Sequence, residues 1–200
     1  MRRMRRPMRA SLTAVGGVLG ALSLAPRPLI AQDAPLPSDQ QVAFLTRIPA
    51  FDRNFRERVG EEVVVGVLHQ QAYRPSVSAL RDLMNEVEEQ GVTSLLDVPA
   101  RFVPLVYSSR QALVRDIREK GIDVLYLAPL RGVNVKALVE ICREHQVATY
   151  TGVPEWAEEG VSVAIGARAG RPEVVVNLPA SRAAGMDFSS RFLRMVKVIQ

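Results

Sequence analysis

Cys142 and His145 are the two residues whose types and spacing come nearest to catalytic chemistry. They lie in "CREH", three residues apart and on roughly one face of a predicted helix. A thiolate nucleophile needs a base within hydrogen-bond reach. Cys142, however, falls in the apolar stripe of that helix, as a small buried residue does. His145 stands in the last turn, where partial positive charge suits the helix dipole. We therefore expect both residues to be structural and no residue to be catalytic.

Motifs of the common enzyme and metal-binding families do not occur in the sequence. The segment "VGVLHQQAYRP" follows the first predicted strand, but it lacks the glycines and the lysine of a phosphate-binding loop. There is no G-x-S-x-G nucleophile elbow. His69 and His145 are the two histidines, and neither has a second histidine at metal-ligand spacing. We expect a protein that is not an enzyme and holds neither a metal nor a cofactor.

Three polar residues at the ends of predicted strands are the best candidates for contacts with a small ligand. His69, Thr151 and Asn177 each close a largely apolar run. The carboxyl ends of parallel strands meet at one edge of a sheet, where ligands bind in open α/β folds. The sequence therefore predicts a ligand crevice formed by His69, Thr151 and Asn177. A structural role, with the side chain hydrogen-bonded to backbone groups, is the competing interpretation of His69 and Asn177.

The elements that must position these residues alternate between helices and strands. Apolar runs predict strands at "EVVVGVLH", "RFVPLVYS", "IDVLYLAP" and "QVATYTG". Apolar residues at helical spacing predict helices before the first strand and between the strands, two of which end at Gly91 and Gly121. Pro104 favours an edge strand, because proline lacks a donor N–H. This alternation predicts an α/β fold: a single three-layer domain with a mainly parallel sheet and helices on both faces.

The C-terminal part predicts an antiparallel hairpin followed by two helices. "VSVAIGARAGRPEVVVN" is typical of two strands with a loop at Ala167 to Arg171. Pro179 suits the first turn of a helix, and Gly185 suits its left-handed end. Ser189 or Ser190 can cap the next helix. We expect this last helix to dock on the sheet through its apolar residues Phe192, Leu193 and Val196.

Residues 1–31 have the three parts of a secretory signal peptide. Arginines precede an uncharged apolar core from Ala10 to Ala25, and we expect a cut after Ala31. A membrane-spanning helix needs about 20 apolar residues, and this core is shorter. The prediction is a periplasmic protein with a signal peptide at residues 1–31, a linker at residues 32–38 and one α/β domain at residues 39–200. An uncleaved N-terminal anchor is the alternative.

The positive net charge belongs to the predicted signal peptide. The chain has a formal net charge of +5, but residues 1–31 contain six arginines and no acidic residue. Residues 32–200 therefore hold 20 basic and 21 acidic residues, a balance that gives no support for nucleic-acid binding. Cys142 is the only cysteine, so the chain cannot form an internal disulfide, and no cysteine follows the apolar core to carry a lipid. We expect no direct membrane insertion after removal of the signal.

The C-terminal segment resembles the closing signature of the YfiR-like family. A strand ends in Asn-Leu, a helix of small residues ends at a glycine, and "FSSRFLRMVKVI" follows. The family is periplasmic, and its namesake restrains a membrane-bound diguanylate cyclase. The resemblance implies a regulator in cyclic di-GMP signalling that binds the periplasmic domain of a cyclase or another membrane sensor, and it favours a homodimer. The matching motif positions are Asn177, Leu178, Ala184, Gly185, Ser189, Ser190 and Leu193.

The same ending is also similar to that of transporter-associated periplasmic binding proteins. A periplasmic small-molecule binding module that serves a transporter or receptor is therefore the alternative function, and an enzyme of unrecognised type is a third. Two departures from the YfiR-like pattern stand out. Type members carry several cysteines, whereas Cys142 is alone here, and "RIPAF" keeps Pro49 of a Trp-Pro pair but not the tryptophan. We expect the motif residues to close the domain structurally.

Overall fold

The strand Val63–His69 (β1) is buried along its whole length, as its nearly unbroken apolar sequence predicts. The computed structural model describes residues 35–200. The predicted signal peptide at residues 1–31 and the first part of the linker lie outside the described residues. The other strands are β2 (Ser94–Leu95), β3 (Val98–Val106), β4 (Val124–Leu127), β5 (Ala148–Thr151), β6 (Val163–Arg168), β7 (Arg171–Asn177) and β8 (Lys197–Ile199).

These eight strands form one sheet in the order β2-β3-β1-β4-β5-β6-β7-β8. The strands from β3 to β6 are parallel to one another, and β2 and β7 run antiparallel to their inner neighbours. The order β3-β1-β4-β5-β6 is that of a flavodoxin-like, doubly wound sheet. The predicted fold class is confirmed: one α/β domain with a mainly parallel sheet and a C-terminal antiparallel hairpin, β6–β7.

Helices cover both faces of the sheet. Val63, Val65 and Val67 belong to one hydrophobic core, whereas Val64 and Leu68 belong to the other, so the alternation along β1 divides its side chains between two layers. The helices within residues 35–200 are α1 (Ser38–Arg47), α2 (Phe55–Arg58), α3 (Arg74–Glu89), α4 (Arg110–Lys120), α5 (Val135–Glu144), α6 (Leu178–Ala183) and α7 (Ser190–Leu193), with 3₁₀ helices at Ile48–Phe51 and Pro154–Ala157. The first core lies under α1 and α3, and the second under α4 and α5.

Local signals in the sequence fix the ends of several helices. Ser109 caps α4 by accepting a hydrogen bond from the Ala112 N–H at 3.1 Å. Gly121 ends the same helix with a φ of 63°, a left-handed conformation that favours glycine. The side chain of Gln41 on α1 accepts a hydrogen bond from the Tyr126 hydroxyl, which ties the first helix to the middle of the sheet.

The end of the chain differs from the prediction. The expected last helix, α7, has only four residues, and the chain then enters the sheet as β8. β8 pairs in parallel with β7, with Val175 opposite Lys197. Phe192 is buried in the first core, and Leu193 and Val196 pack against it, so the apolar residues dock as expected but from two elements. A three-residue strand is too short to show a period in sequence.

Two tight turns differ from the prediction. The hairpin loop predicted at Ala167 to Arg171 is shorter, because only Ala169 and Gly170, with φ of 50° and 73°, separate β6 from β7. β2 was not predicted. It reaches β3 through Leu96 and Asp97, whose φ values are 50° and 64°. Neither is glycine, so the sequence gives no turn signal there.

β3 is an edge strand over most of its length, as Pro104 predicts. β2 pairs only with the first two residues of β3. The Ala100 N–H donates to the Thr93 carbonyl, and no strand within residues 35–200 pairs with β3 beyond this point on that side. Pro104 therefore sits where its missing N–H costs no ladder hydrogen bond.

Candidate functional site

The carboxyl ends of β1, β4 and β5 meet at one edge of the sheet, as predicted. Leu68 lies opposite Leu127, and Leu127 lies opposite Thr151. His69 and Ala128 follow immediately, and both are buried. This is the edge at which doubly wound sheets bind ligands, and we call it the carboxyl edge.

His69 is the polar residue at this edge that the protein leaves incompletely bonded. Its side chain lies on the same sheet face as Val63, Val65 and Val67, because residues two apart share a face. The residue is only 7% exposed, and its Nδ1 atom has no hydrogen-bond partner among the described residues. A buried nitrogen without a partner is uncommon in folded proteins and calls for a structural or functional reason.

The loop after β1 is held to the loop after β4 by one side chain. Gln70 donates from Nε2 to the Arg131 carbonyl at 3.0 Å and accepts from the Arg131 N–H at 2.7 Å. The Gln70 N–H in turn donates to the hydroxyl of Ser76, in the first turn of α3, at 2.8 Å. The loops that follow β1 and β4 are thus bridged by a two-point contact beside His69.

Thr151 lies at the carboxyl edge, but its hydroxyl is fully used within the protein. The residue is completely buried, and Oγ1 donates to the Leu127 carbonyl at 3.0 Å. The same oxygen accepts a hydrogen bond from the Val153 N–H at 3.1 Å. Thr151 therefore fixes the turn after β5.

Asn177 does not join His69 and Thr151, which corrects the predicted three-residue crevice. β7 runs antiparallel to β6, so its carboxyl end lies beside the start of β6, where the Asn177 N–H donates to the Ser162 carbonyl at 3.0 Å. Its side chain donates from Nδ2 to the Ala157 carbonyl at 2.8 Å and accepts from the Ala180 N–H at 2.9 Å. Both ends of the amide are used, and Asn177 caps α6.

Asn177 lines a different hollow, of about 330 Å³, between α5 and α6. Thr149 and Ser162 at its floor bond to each other, with 3.1 Å between their hydroxyl oxygens. Cys142 also lines the hollow, but it is 1% exposed, and burial raises the pKa of its thiol to about 12. A thiol with this pKa stays protonated at neutral pH and is a poor nucleophile.

His145, at the end of α5, is half-buried, and its backbone N–H donates to carbonyl groups of the last turn of the helix.

The family-type motif at the C-terminus forms a clamp with the segment after α1. We call residues 51–58 and 185–192 together the terminal clamp. The Arg53 N–H donates to the Asp187 carbonyl and the Ser189 N–H donates to the Phe51 carbonyl, both at 2.9 Å. The rings of Phe51 and Phe192 stack with their centroids 4.6 Å apart. The start and the end of the domain are therefore joined by backbone and aromatic contacts.

Asp52 is the centre of this clamp and was not found from the sequence. Its side chain is fully buried and lies 3.1 Å from the Arg58 guanidinium. It also accepts hydrogen bonds from the backbone N–H groups of Asn54 and Asp187, at 3.1 and 2.8 Å. Asp187 is 135 residues from Asp52 in the chain, so no local pattern could have shown this pairing.

The motif residues at the C-terminus have structural roles. Gly185 has a φ of 80°, a conformation that a residue with a side chain adopts only with strain. A Cβ atom there would also lie 2.9 Å from Cδ of Arg58 and would crowd the Arg58–Asp52 ion pair. The Gly185 carbonyl accepts a hydrogen bond from Asn54 Nδ2 at 3.1 Å. Ser189 caps α7, and Ser190 begins it on the exposed side. The apolar motif residues Leu178, Ala184 and Leu193 are half-buried or buried.

Two exposed apolar side chains stand at the carboxyl end of the β1–β3 pair. Val106, the last residue of β3, is 46% exposed, and it lies opposite His69. Val77, in the first turn of α3, is 39% exposed. Tyr73 and Tyr107, next to the ends of the same elements, are half-buried. We call these four residues the sheet-end surface.

No helix within residues 35–200 is long and apolar enough to cross a membrane.

A family model described as YfiR/HmsC-like matches residues 39–197. The chain belongs to the YfiR/HmsC-like family. The match runs from the first turn of α1 to the first residue of β8, so it includes both halves of the terminal clamp. This YfiR/HmsC-like chain has one cysteine, and an internal disulfide is therefore excluded for it. A comparison with curated protein sequences finds no match.

Solved structures share the fold at low sequence identity. A conserved domain protein from Vibrio cholerae is 14% identical, with a TM-score of 0.60 over 84% of this chain and 61% of that one. An ABC domain from Streptococcus pneumonia in complex with L-Trp is 12% identical, with a TM-score of 0.58 over 82% and 60%. The ligand-free, open form of a Clostridium difficile substrate binding protein with adhesive properties is 14% identical, with a TM-score of 0.57 over 82% and 60%. This YfiR/HmsC-like chain thus spans about 60% of the length of these proteins.

Proposed function

We propose that the protein is a periplasmic regulator that binds and restrains a membrane signalling protein, a diguanylate cyclase or another sensor. The match of residues 39–197 to the YfiR/HmsC-like family carries this proposal. To restrain its partner, the regulator must bind the inactive state of the sensor more tightly than the active one, because only differential affinity shifts an equilibrium.

The architecture supports a binding role. The Cys142 thiol has its pKa raised by burial, and the Thr151 and Asn177 side chains are occupied by backbone contacts. Within residues 35–200, no group of three His, Cys, Asp or Glu side chains is arranged to hold a metal ion. The residues that remain open to a partner include the apolar side chains of the sheet-end surface.

We place the sensor contact at the sheet-end surface. Val77 and Val106 are exposed apolar residues, and two half-buried tyrosines accompany them. Exposed apolar side chains that lie together mark sites of protein interaction, and tyrosine is enriched among the residues that contribute most to binding. An aspartate in place of each valine would put two charges into the interface while leaving the buried cores intact.

The test measures sensor output and binding together in the organism that encodes the protein. Deletion of the gene should raise cyclic di-GMP or the equivalent sensor output, and the wild-type gene should restore it. Val77→Asp with Val106→Asp should fail to restore it and should fail to capture the sensor from detergent-solubilised membranes. Thr93→Asp with Ser94→Asp is the matched control, because both residues are exposed and lie beside the start of β3, whereas Val106 lies at its end. Unchanged output after deletion would contradict the proposal.

A second function is favoured by the unpartnered Nδ1 of His69 at the carboxyl edge. The structural relatives include an ABC domain in complex with L-Trp and a substrate binding protein. On this alternative, His69 would contact a small molecule, and the protein would deliver it to a transporter or receptor. A rise in melting temperature with L-Trp or another amino acid, lost in His69→Ala, would support this function. A rise that persists in His69→Ala would place the ligand elsewhere.

A further inference from the structure

The near-neutral charge of the folded part hides a strong separation of charges along the chain. Residues 160–200 contain six basic and two acidic residues, whereas residues 35–159 contain 14 basic and 18 acidic residues. The final hairpin, α6, α7 and β8 therefore carry an excess of four positive charges. The preceding part carries an equal excess of negative charge.

Four of the six cations of this last part gather at one corner of the sheet. Arg168 and Arg171 face each other across the β6–β7 hairpin, and Lys197 begins the outer strand β8. Together with Met195, these three residues line an open hollow of about 300 Å³. Arg194 precedes Met195 in the chain and is exposed. We call Arg168, Arg171, Arg194, Met195 and Lys197 the cationic corner.

Most of these cations have no acidic partner. Glu173 lies 3.4 Å from Arg168, in an exposed pair. Arg171, Arg194 and Lys197 form no ion pair with any residue between 35 and 200. Because they are exposed and unpaired, their charge is available to an external surface of opposite sign.

An apolar side chain stands among the cations. Met195 is 60% exposed, more than the other exposed large hydrophobic residues, Val77 and Val106. Basic side chains around a protruding apolar one match the layers of an anionic bilayer, where charged headgroups lie above an apolar boundary. Arg171, Arg194 and Lys197 are long side chains that are unpaired within residues 35–200, so each can reach a separate headgroup around Met195.

We propose that the cationic corner docks the protein on the anionic headgroup layer of a phospholipid bilayer, with Met195 entering the headgroup–acyl boundary. This extends the proposed function, since a regulator of a membrane sensor works beside a bilayer. The docking is peripheral and reversible, and it turns the β7–β8 side of the sheet toward the bilayer. The partner of the cationic corner is therefore a lipid surface that carries anionic phosphate groups.

The test uses vesicles that contain no protein. The described residues 35–200 belong to one compact unit, so the protein without residues 1–31 is used, which removes the basic leader from the measurement. We expect it to sediment with vesicles of phosphatidylglycerol and phosphatidylcholine but not with phosphatidylcholine alone. We also expect binding to fall as salt rises from about 0.05 to about 0.5 M, because ions screen exposed charges.

A charge-matched pair of variants separates the corner from net charge. Arg171→Gln, Arg194→Gln and Lys197→Gln together should weaken binding about 100-fold, since each cation near an anionic surface contributes about fivefold. Arg110→Gln, Arg115→Gln and Arg118→Gln remove three exposed arginines of α4 that form no ion pair in the described part of the chain, and they should weaken binding less than about fivefold. Met195→Ser should weaken it several-fold with the charge unchanged.

Two results would overturn the proposal: no sedimentation of the wild type with anionic vesicles, and equal losses in the two triple variants. The first result can be accompanied by a loss of sensor capture from detergent in the corner variant. That combination would assign the corner to an acidic protein surface. Because the vesicles lack the sensor and the capture experiment lacks a bilayer, the lipid proposal and the regulator proposal can each fail alone.

Discussion

Asn177 uses both ends of its side-chain amide to bond neighbouring backbone. Its Oδ1 atom caps α6 at the Ala180 N–H, and its Nδ2 atom donates to the Ala157 carbonyl. The residue is 9% exposed, so both contacts lie away from water. The strand β7, the helix α6 and the 3₁₀ helix before β6 are thereby held at one point.

Asn177→Ala should lower the free energy of unfolding by about 2 kcal/mol, because it removes the cap bond of α6 and one of the two hydrogen bonds that the Ala157 carbonyl accepts. Asn134→Ala is the matched control. The Asn134 side chain is exposed and, among residues 35–200, makes only the cap bond to the Ala137 N–H, at 3.1 Å, so about 1 kcal/mol is expected. Urea unfolding followed by circular dichroism measures both values. Equal losses would show that the bond to Ala157 contributes nothing.

Asp123 gives the protein a pH dependence. Its carboxylate accepts a hydrogen bond from the Val64 N–H at 2.8 Å. Partial burial raises the pKa of this carboxyl, against the smaller lowering effects of the Val64 hydrogen bond and of Arg58. The folded state therefore holds the proton more tightly than the unfolded chain. The contribution of Asp123 to stability is full at low pH and is lost as pH rises through the folded pKa.

Asp123→Asn should remove the loss of stability that Asp123 causes as pH rises, while keeping an acceptor for the Val64 N–H. The stability of the variant relative to wild type is expected to increase between about pH 3 and pH 7. Urea midpoints measured across this range test it. Asp97→Asn, at a side chain that is 97% exposed, controls for the loss of one negative charge. A difference in stability between Asp123→Asn and wild type that does not vary with pH would contradict the raised pKa of Asp123.

At the scale of elements, the terminal clamp explains why the chain ends in so specific a sequence. Asp52 holds the Arg58 guanidinium and two backbone N–H groups, and Gly185 leaves the space that Arg58 fills. Phe51 stacks on Phe192 beside this polar centre. The closing segment thus completes the layer that α1 begins.

Asp52→Asn should destabilise the protein by about 3 kcal/mol, because it leaves a largely buried guanidinium without its counter-charge. Asp187→Asn should cost less than about 1 kcal/mol, because the Arg53–Asp187 pair is exposed. The two carboxylates belong to the same clamp, so each variant controls for the other. Thermal and urea unfolding would contradict this account if Asp187→Asn were the more damaging change.

At the scale of the whole molecule, residues 35–200 form one sheet with helices on both faces. The chain spans about 60% of the length of the structural neighbours. Its two proposed surfaces, the sheet-end surface and the cationic corner, belong to opposite lateral halves of the sheet, at β1–β3 and at β7–β8. A sensor and a bilayer could therefore be contacted together.

Export is the whole-molecule prediction that follows from residues 1–31. Expression of the full chain in a Gram-negative host should place a shortened form in the periplasmic fraction, with its N-terminus near residue 32. Leu19→Arg with Leu22→Arg interrupts the apolar core and should keep the full-length chain in the cytoplasm. Pro35→Ala, in the predicted linker, is the control and should leave export unchanged. Mass spectrometry of the two fractions measures the result.

The sequence by itself determined the class of the fold and the order of its main elements. Apolar runs such as β1 and a helix stop such as Gly121 act locally, so their signals are read without knowing the partner. Pro104 likewise showed that β3 stands at an edge. β8 and β2 escaped detection, because they are too short for a period and the β2 turn contains no glycine.

Only the tertiary structure decided which polar residues share a site. The direction of β7 moves Asn177 away from His69 and Thr151, and that direction depends on pairing with β6. The Asp52 centre and the cationic corner join positions that are distant in the chain or in separate elements. Local propensity fixes each element, whereas contacts between distant residues depend on how the elements pack, and a sequence pattern carries no record of that packing.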